Sequence, residues 1–214
     1  MNQSNQTAPP TTDQGESTRS DLIAAGRTLF AQRGFDGTSV RALTKEAGAN
    51  LGAVTYHFGS KRDLYAAVLE DGLRPLAGRV VRTAKAKGSA RERMLAVMEA
   101  YFAHFAERPE MPYLLLQEVA AGKEPPAVIR EIIGTVKKTL AGLQREGEKD
   151  GSVRPGHPVL TALSVVSQPI YLTLVSPMLR TVGGLDLADP ETRRMAVEHT
   201  LSFVDAALAP HPET

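Results

Sequence analysis

Apolar residues recur along most of this chain at the three- and four-residue spacing of a helix face, and nowhere do they alternate as in a half-buried strand. The first series is Leu22, Ile23, Gly26, Leu29 and Phe30. Ser17 and Thr18 offer N-caps ahead of it, Asp21 holds the capping-box position, and Gly34 stops it. Thr38 or Ser39 caps a second helix with Val40, Leu43 and Ala47 on its inner face. Gly48 permits a tight turn, and Asn50 is placed to cap a third helix that buries Val54 and Phe58. Ser60 and Asp63 open a long fourth helix through Leu64, Val68, Leu73, Leu76 and Val80, in which Pro75 predicts a kink or a break.

After Gly88, Ser89 with Glu92 caps a fifth helix carrying Met94, Met98, Tyr101, Phe102 and Phe105 on one stripe. A sixth follows Pro109 and Pro112 and ends near Gly122. A seventh starts at Pro125-Pro126 and keeps its period through Ile129, Ile132, Val136, Leu140 and Leu143. The polar stretch 146–158 reads as a loop. From Val159 to Leu179 no residue is charged, and the length would suffice to cross a bilayer. Gln168, Pro169, Pro177 and several Ser and Thr argue instead for a helix buried on most sides by its own core and a partner subunit, with no membrane span. Asp189-Pro190-Glu191 starts the last helix, which runs through Met195, Val197, Leu201, Val204 and Leu208.

Composition narrows this all-α picture. The 214 residues, 42% hydrophobic, allow one substantial core and a smaller module. The expected division is a disordered polar tail over residues 1–16, a small helical domain over 17–81 that includes the start of the fourth helix, and a larger one over 82–209. The tail has neither the basic nor the apolar region of a signal peptide. Cysteine is absent, which suits a reducing, cytoplasmic setting. No two histidines stand at ligand-pair spacing, so neither metal nor cofactor is expected, and His104 and His157 read as solvated or capping residues. Net charge is only +1, yet between Ser17 and Arg62 seven basic residues face three acidic ones. Positive charge is concentrated where a phosphate-facing surface would need it.

Two short helices joined by a tight turn can seat the second in the major groove of DNA. With Val54 and Phe58 inward, Leu51, Ala53, Thr55, Tyr56 and His57 are left facing outward, and Asn50 stands at the same helix start. Thr55, Tyr56 and His57 can donate to phosphates or bases, while Leu51 and Ala53 suit thymine methyl groups. Lys61 is expected on a phosphate, and Ser39 and Arg41 on the backbone or the groove edge.

These residues resemble the DNA-binding domain of the Tet repressor family. The resemblance rests on Phe30 to Gly34-Phe35, on Thr38-Ser39-Val40-Arg41-Ala42-Leu43-Thr44, and on the run Gly52 to Lys61 with Tyr56 and Phe58 inside it. Thr44 departs from a usual Ala, and Leu51 from a usual polar residue. The resemblance covers about the first third of the chain. It implies an N-terminal three-helix helix-turn-helix domain and a C-terminal helical bundle for ligand binding and dimerisation. The protein would then be a homodimeric repressor that leaves a palindromic double-stranded operator when a small-molecule effector binds.

Apolar stripes with a few polar anchors suggest where that effector would bind. Met98, Phe102, Phe105, Met111 and Tyr113 are candidate lining residues, as are Gln117, Gln168, Tyr171 and Met178. Leu163, Val166, Ile170 and Leu174, with Leu201, Val204 and Leu208 of the last helix, are candidates for the dimer interface. Two rival readings are a non-enzymatic interaction adaptor and a helical-bundle enzyme. The enzyme lacks support from any nucleophile elbow, phosphate loop or paired carboxylates.

Overall fold

Helices α1 (Thr12–Arg33), α2 (Val40–Glu46), α3 (Ala53–Phe58) and the start of α4 (Lys61–Thr83) close around Leu22, Leu29, Phe30, Leu43, Val54, Leu64 and Val68, all buried. The computed structural model describes residues 12–210, and among them it holds nine helices and no strand. The chain separates into two compact units, one up to Leu69 and one from Glu70. That division lies inside α4, whereas the sequence expectation set it near Val81.

In the first unit α1 starts earlier than its capping pattern predicts. Most of the expected tail, 1–16, lies outside the described residues, but its last five belong to α1. Ser17, Thr18 and Asp21 therefore sit within the helix, where the Ser17 hydroxyl donates to Asp21 Oδ2 at 3.4 Å. Residues 12–16 contain no proline to stop the helix, since Pro9 and Pro10 precede them. Gly26 lets α1 and α4 meet, since a Cβ there would lie 2.7 Å from Val68 Cγ2. Phe30, Phe35 and Tyr65 complete the core, the rings of Phe30 and Tyr65 meeting edge to face at 4.9 Å.

The second unit is built on α5 (Ala90–Glu107), which packs against α7 (Ala127–Asp150), α8 (Pro158–Val182) and α9 (Pro190–Leu208), with α6 (Met111–Ala121) against α8. Both halves of the Ser89–Glu92 capping box are formed, and those hydrogen bonds hold the Glu92 carboxyl below its ordinary value. α7 runs on to Asp150, so the first residues of the expected loop 146–158 are helical. Gly147, which reads as loop, is a buried helix position. A Cβ there would come within 2.4 Å of Val153 Cγ2 and 3.1 Å of Ala90 Cβ. The Val153 amide folds back onto the Gly147 carbonyl at 3.0 Å.

α4 continues through Pro75 without a break. Proline has no N–H to give the carbonyl four residues earlier, that of Asp71. Arg108 supplies the missing donor: its Nη1 reaches the Asp71 carbonyl at 3.2 Å and the Asp71 carboxylate at 2.7 Å. His104 Nε2 lies 2.9 Å from the next carbonyl, that of Gly72, and is buried rather than solvated as expected. Gly72 itself has no room for a side chain, because a Cβ would lie 2.2 Å from Met111 Sδ.

α8 is apolar enough to cross a membrane by length and composition, yet only 17% of its most apolar window is buried. The rest of the chain covers one face, through Ala162, Val165 and Pro169. The expectation of burial on most sides is therefore met on that face alone. One phase of the helix meets α5 and α7, and the opposite phase, with Leu160, Tyr171 and Met178, meets none of its own helices closely enough to be covered.

Burial lowers the pKa of His104 below the ordinary 6.5, and the nearby Arg79 and Arg108 charges act the same way, outweighing its bond to Gly72. The unfolded chain then binds the extra proton more readily. The contribution of His104 is complete above 6.5 and is lost as pH falls from there toward the folded value. Urea midpoints of the wild type should therefore drop between pH 7.5 and 5.5 by more than those of His104→Gln. Equal drops would show that His104 does not titrate with unfolding.

Candidate functional site

The turn between α2 and α3 is set by its side chains and by Gly48. Ser39 caps α2, its hydroxyl oxygen accepting from the Ala42 amide at 3.1 Å, which leaves its own O–H free to donate outward. Thr38 is fully buried and donates to the carbonyls of Gly34 and Leu29 at 2.8 and 3.2 Å, fixing the approach to α2. Gly48 takes φ +63°, which reverses the chain, and the Ala49 amide returns to the Thr44 carbonyl at 2.8 Å. Ser60 and Asp63 then start α4, with the Asp63 amide donating to Ser60 Oγ at 3.2 Å.

α3 presents an outward face with Thr55 exposed, Tyr56 74% exposed and His57 half-buried. The Tyr56 and His57 rings meet edge to face at 4.8 Å. Leu51 is 60% exposed in the turn ahead of the helix, and Arg41 is exposed on α2. Four expectations change. Ala53 is 4% exposed and belongs to the core, because α3 begins only at that residue and its first turn faces inward. Asn50 is exposed but is not the cap: Gly52 occupies that position and gives no side-chain bond. Phe58 is half-buried, its outer side covered by the Arg19 guanidinium 5.2 Å from the ring.

Lys61 is the fourth. Its ammonium donates to the carbonyls of Phe35 and Thr38 at 2.8 and 2.9 Å and lies 4.2 Å from the Phe35 ring centre. Two of its three donors thus close the α1–α2 connection instead of standing free for a phosphate. Arg19 and Lys45 were legible only as part of a net charge. The structure places Arg19 beside α3 and Lys45 exposed in the last turn of α2.

The second unit contains an apolar cavity of about 470 Å³ walled by α4, α5, α6, α7 and α8. Leu73, Leu76 and Ala77 of α4 line it, as do Tyr101, Ile132 and Ile133. None of the nine expected pocket residues does. Met98 and Met111 are fully buried core. Tyr171 and Met178 point outward, at 61% and 56% exposure, and Gln168 borders a separate groove between α8 and α9. Gln117 is half-buried on α6. Phe102, Phe105 and Tyr113 do come together, in another cavity on the far side of α5.

The interface candidates are redistributed as well. Leu163, Val166 and Ile170 line the apolar cavity, and Val204 and Leu208 are buried in their own protomer; Leu174 and Leu201 are half-buried. The exposed large apolar side chains of α8 and α9 are Val159, Leu160, Leu163, Tyr171, Met178, Val182, Met195 and Phe203, so Leu163 both borders the cavity and stands open. Helical phase explains why Leu163, Val166 and Ile170 border the cavity: both sides of α8 are apolar, and the position of α7 decides which side lines it.

Comparison with known proteins agrees with this architecture. Residues 22–68 match the family described as "Bacterial regulatory proteins, tetR family", and residues 91–204 match the "Tetracyclin repressor-like, C-terminal domain". The transcriptional repressor KstR2 of Mycolicibacterium smegmatis is 30% identical over 152 residues, covering 69% of this chain and 73% of that protein. The fatty acid metabolism regulator protein of Bacillus subtilis is 23% identical over 156 residues, covering 72% and 80%. Among solved structures, that of the ketosteroid transcriptional regulator KstR2 of Mycobacterium tuberculosis superposes with a TM-score of 0.74 at 18% identity, covering 95% of this chain and 99% of that one.

The two hydrogen bonds of Lys61 give a direct test of its role. Lys61→Gln should lower unfolding stability by about 1–2 kcal/mol and leave the salt dependence of DNA affinity unchanged. Arg41→Gln should leave stability unchanged and flatten the log–log salt slope by about 0.9 for each DNA-bound copy of the chain. A flattened slope for Lys61→Gln would put its charge on a phosphate after all.

Proposed function

This chain belongs to the tetR family of bacterial regulatory proteins and is a transcriptional regulator, and we propose that it acts in the cytoplasm as a homodimeric repressor released from a palindromic operator by an apolar effector. The observation that carries the DNA half of this reading is the face of α3. Thr55, Tyr56 and His57 stand outward, and no acidic residue lies between Ala47 and Arg62 to repel phosphate. Thr55 and His57 reach base edges, the Tyr56 hydroxyl and the free Ser39 O–H donate to phosphates, and Arg41, Lys45 and Arg19 supply the screened charge. Leu51 offers its apolar side chain to a thymine methyl group, and Asn50 its amide beside it.

The uncovered apolar face of α8 and α9 supports the dimer. A large patch of this kind on a soluble protein needs a partner, and a two-fold operator requires paired recognition helices about one turn of DNA apart. Packing α8 and α9 on their copies answers both needs, with Tyr171 and Phe203 in the buried centre.

The apolar cavity supports the effector site. Its lining is mostly hydrocarbon, and its charged residues are the half-buried Glu118 and the exposed Lys123 and Lys137. The volume and lining suit an elongated lipid-like molecule. One relative is named a regulator of fatty acid metabolism and a structural neighbour a ketosteroid regulator, both consistent with such a ligand. α4 carries the response: Leu64 and Val68 belong to the first unit's core, while Leu73, Leu76 and Ala77 touch the effector. An affinity difference of about 1–3 kcal/mol between the two conformations shifts operator occupancy 5- to 150-fold.

Selection of bound sequences from random DNA tests the reading. A two-fold symmetric consensus is expected, and its recovery should fail with Phe203→Asp, which should also sediment as a monomer. An absence of DNA binding at low salt would favour an interaction adaptor, and an asymmetric consensus would remove the dimer.

A further inference from the structure

The cavity that gathers Phe102, Phe105 and Tyr113 has no part in the effector reading. It encloses about 660 Å³ between α5, α6, α8, α9 and the loop joining the last two, and shares no lining residue with the apolar cavity. Between the two stands one aromatic pair: Tyr101 borders the apolar cavity and Phe105 this one, their rings edge to face at 5.8 Å.

Its polar groups set it apart. Arg193 is half-buried in the wall and makes no ion pair among the described residues. Asp189 senses its charge, but the Asp189 carboxylate is committed to capping α9, accepting from the Thr192 amide and hydroxyl at 2.8 Å each. The Ser176 hydroxyl in the same wall has no hydrogen-bond partner among the described residues. Pro177 beside it has no N–H to give the Thr173 carbonyl. A half-buried guanidinium that makes no ion pair favours an incoming anion, because the partner restores what partial desolvation removed. Glu99, exposed on the same wall, opposes a second negative charge. The other walls are hydrocarbon: Phe102, Phe105, Leu172 and Val197.

We propose that this cavity is a second ligand site, taking an amphipathic organic monoanion whose carboxylate or sulfonate sits on Arg193 and Ser176 and whose apolar body lies on Phe102, Phe105 and Leu172. The site stands whether or not the apolar cavity receives the effector.

Two fluorescent probes that differ by the anionic group test it on the full chain: 1-anilinonaphthalene-8-sulfonate and the uncharged N-phenyl-1-naphthylamine. Arg193→Gln should weaken the sulfonate about tenfold or more and leave the uncharged probe within about twofold. Ala196→Phe, which fills this cavity, should abolish sulfonate binding, while Val166→Phe, which fills the other, should not. Unchanged sulfonate affinity in Arg193→Gln overturns the proposal, as does loss of binding in Val166→Phe alone. Arg193→Gln decides the matter by itself if Ala196→Phe does not fold, since position 193 lies at the half-buried edge of the wall.

Discussion

The proline inside α4 is the constraint on which the second unit turns. Pro75 leaves the Asp71 carbonyl without its helical donor, and α5 repairs the gap from outside through Arg108, with His104 on the neighbouring Gly72 carbonyl. The repair makes α4 dependent on α5 at the turn just ahead of Leu73, where α4 enters the wall of the apolar cavity. A helix stabilised only by its own ladder could shift without consulting its neighbours. Here a displacement of α4 against α5 breaks a charged hydrogen bond and uncovers a buried imidazole, so motion is confined to arrangements that keep or replace both.

The first unit is held in a different way. Its connection between α1 and α2 is closed by a fully buried threonine and by a lysine from α4 that gives two of its donors to carbonyls. Charge is thereby withdrawn from the DNA face and spent on rigidity. The face that remains is small, with few groups able to make bidentate contacts to bases. Such a face has little power of choice alone, and in the proposed homodimer a second copy at fixed spacing would supply the rest.

Local chemistry was the legible part of the sequence. The caps at Ser39, Ser60, Ser89 and Asp189 and the reversal at Gly48 depend on residues a few positions apart, and each forms as its spacing predicts. Contacts between distant positions left no such trace. Lys61 with Phe35, His104 with Gly72 and Arg19 with Phe58 each need the fold before the partner can be named. α8 shows the limit most clearly. Its composition marks it as buried, but Leu163 and Tyr171 differ in helical phase, and the sequence does not say which phase meets α7; for that reason Leu163, Val166 and Ile170, read as interface, border the cavity, while Tyr171, read as pocket, lies outside it. Gly147 misled in the same way, since a glycine needed for close packing has the same letter as one needed for a turn.

The claim that specificity resides in the pair is tested most directly by fluorescence anisotropy at fixed salt, comparing a duplex that carries the selected two-fold site with one that carries a single half-site. The account predicts that the half-site binds little better than random duplex, and that the full site binds at least about 10³-fold more tightly than random duplex. Equal affinity for half-site and full site would contradict it, and would place the whole of recognition in the exposed face of α3.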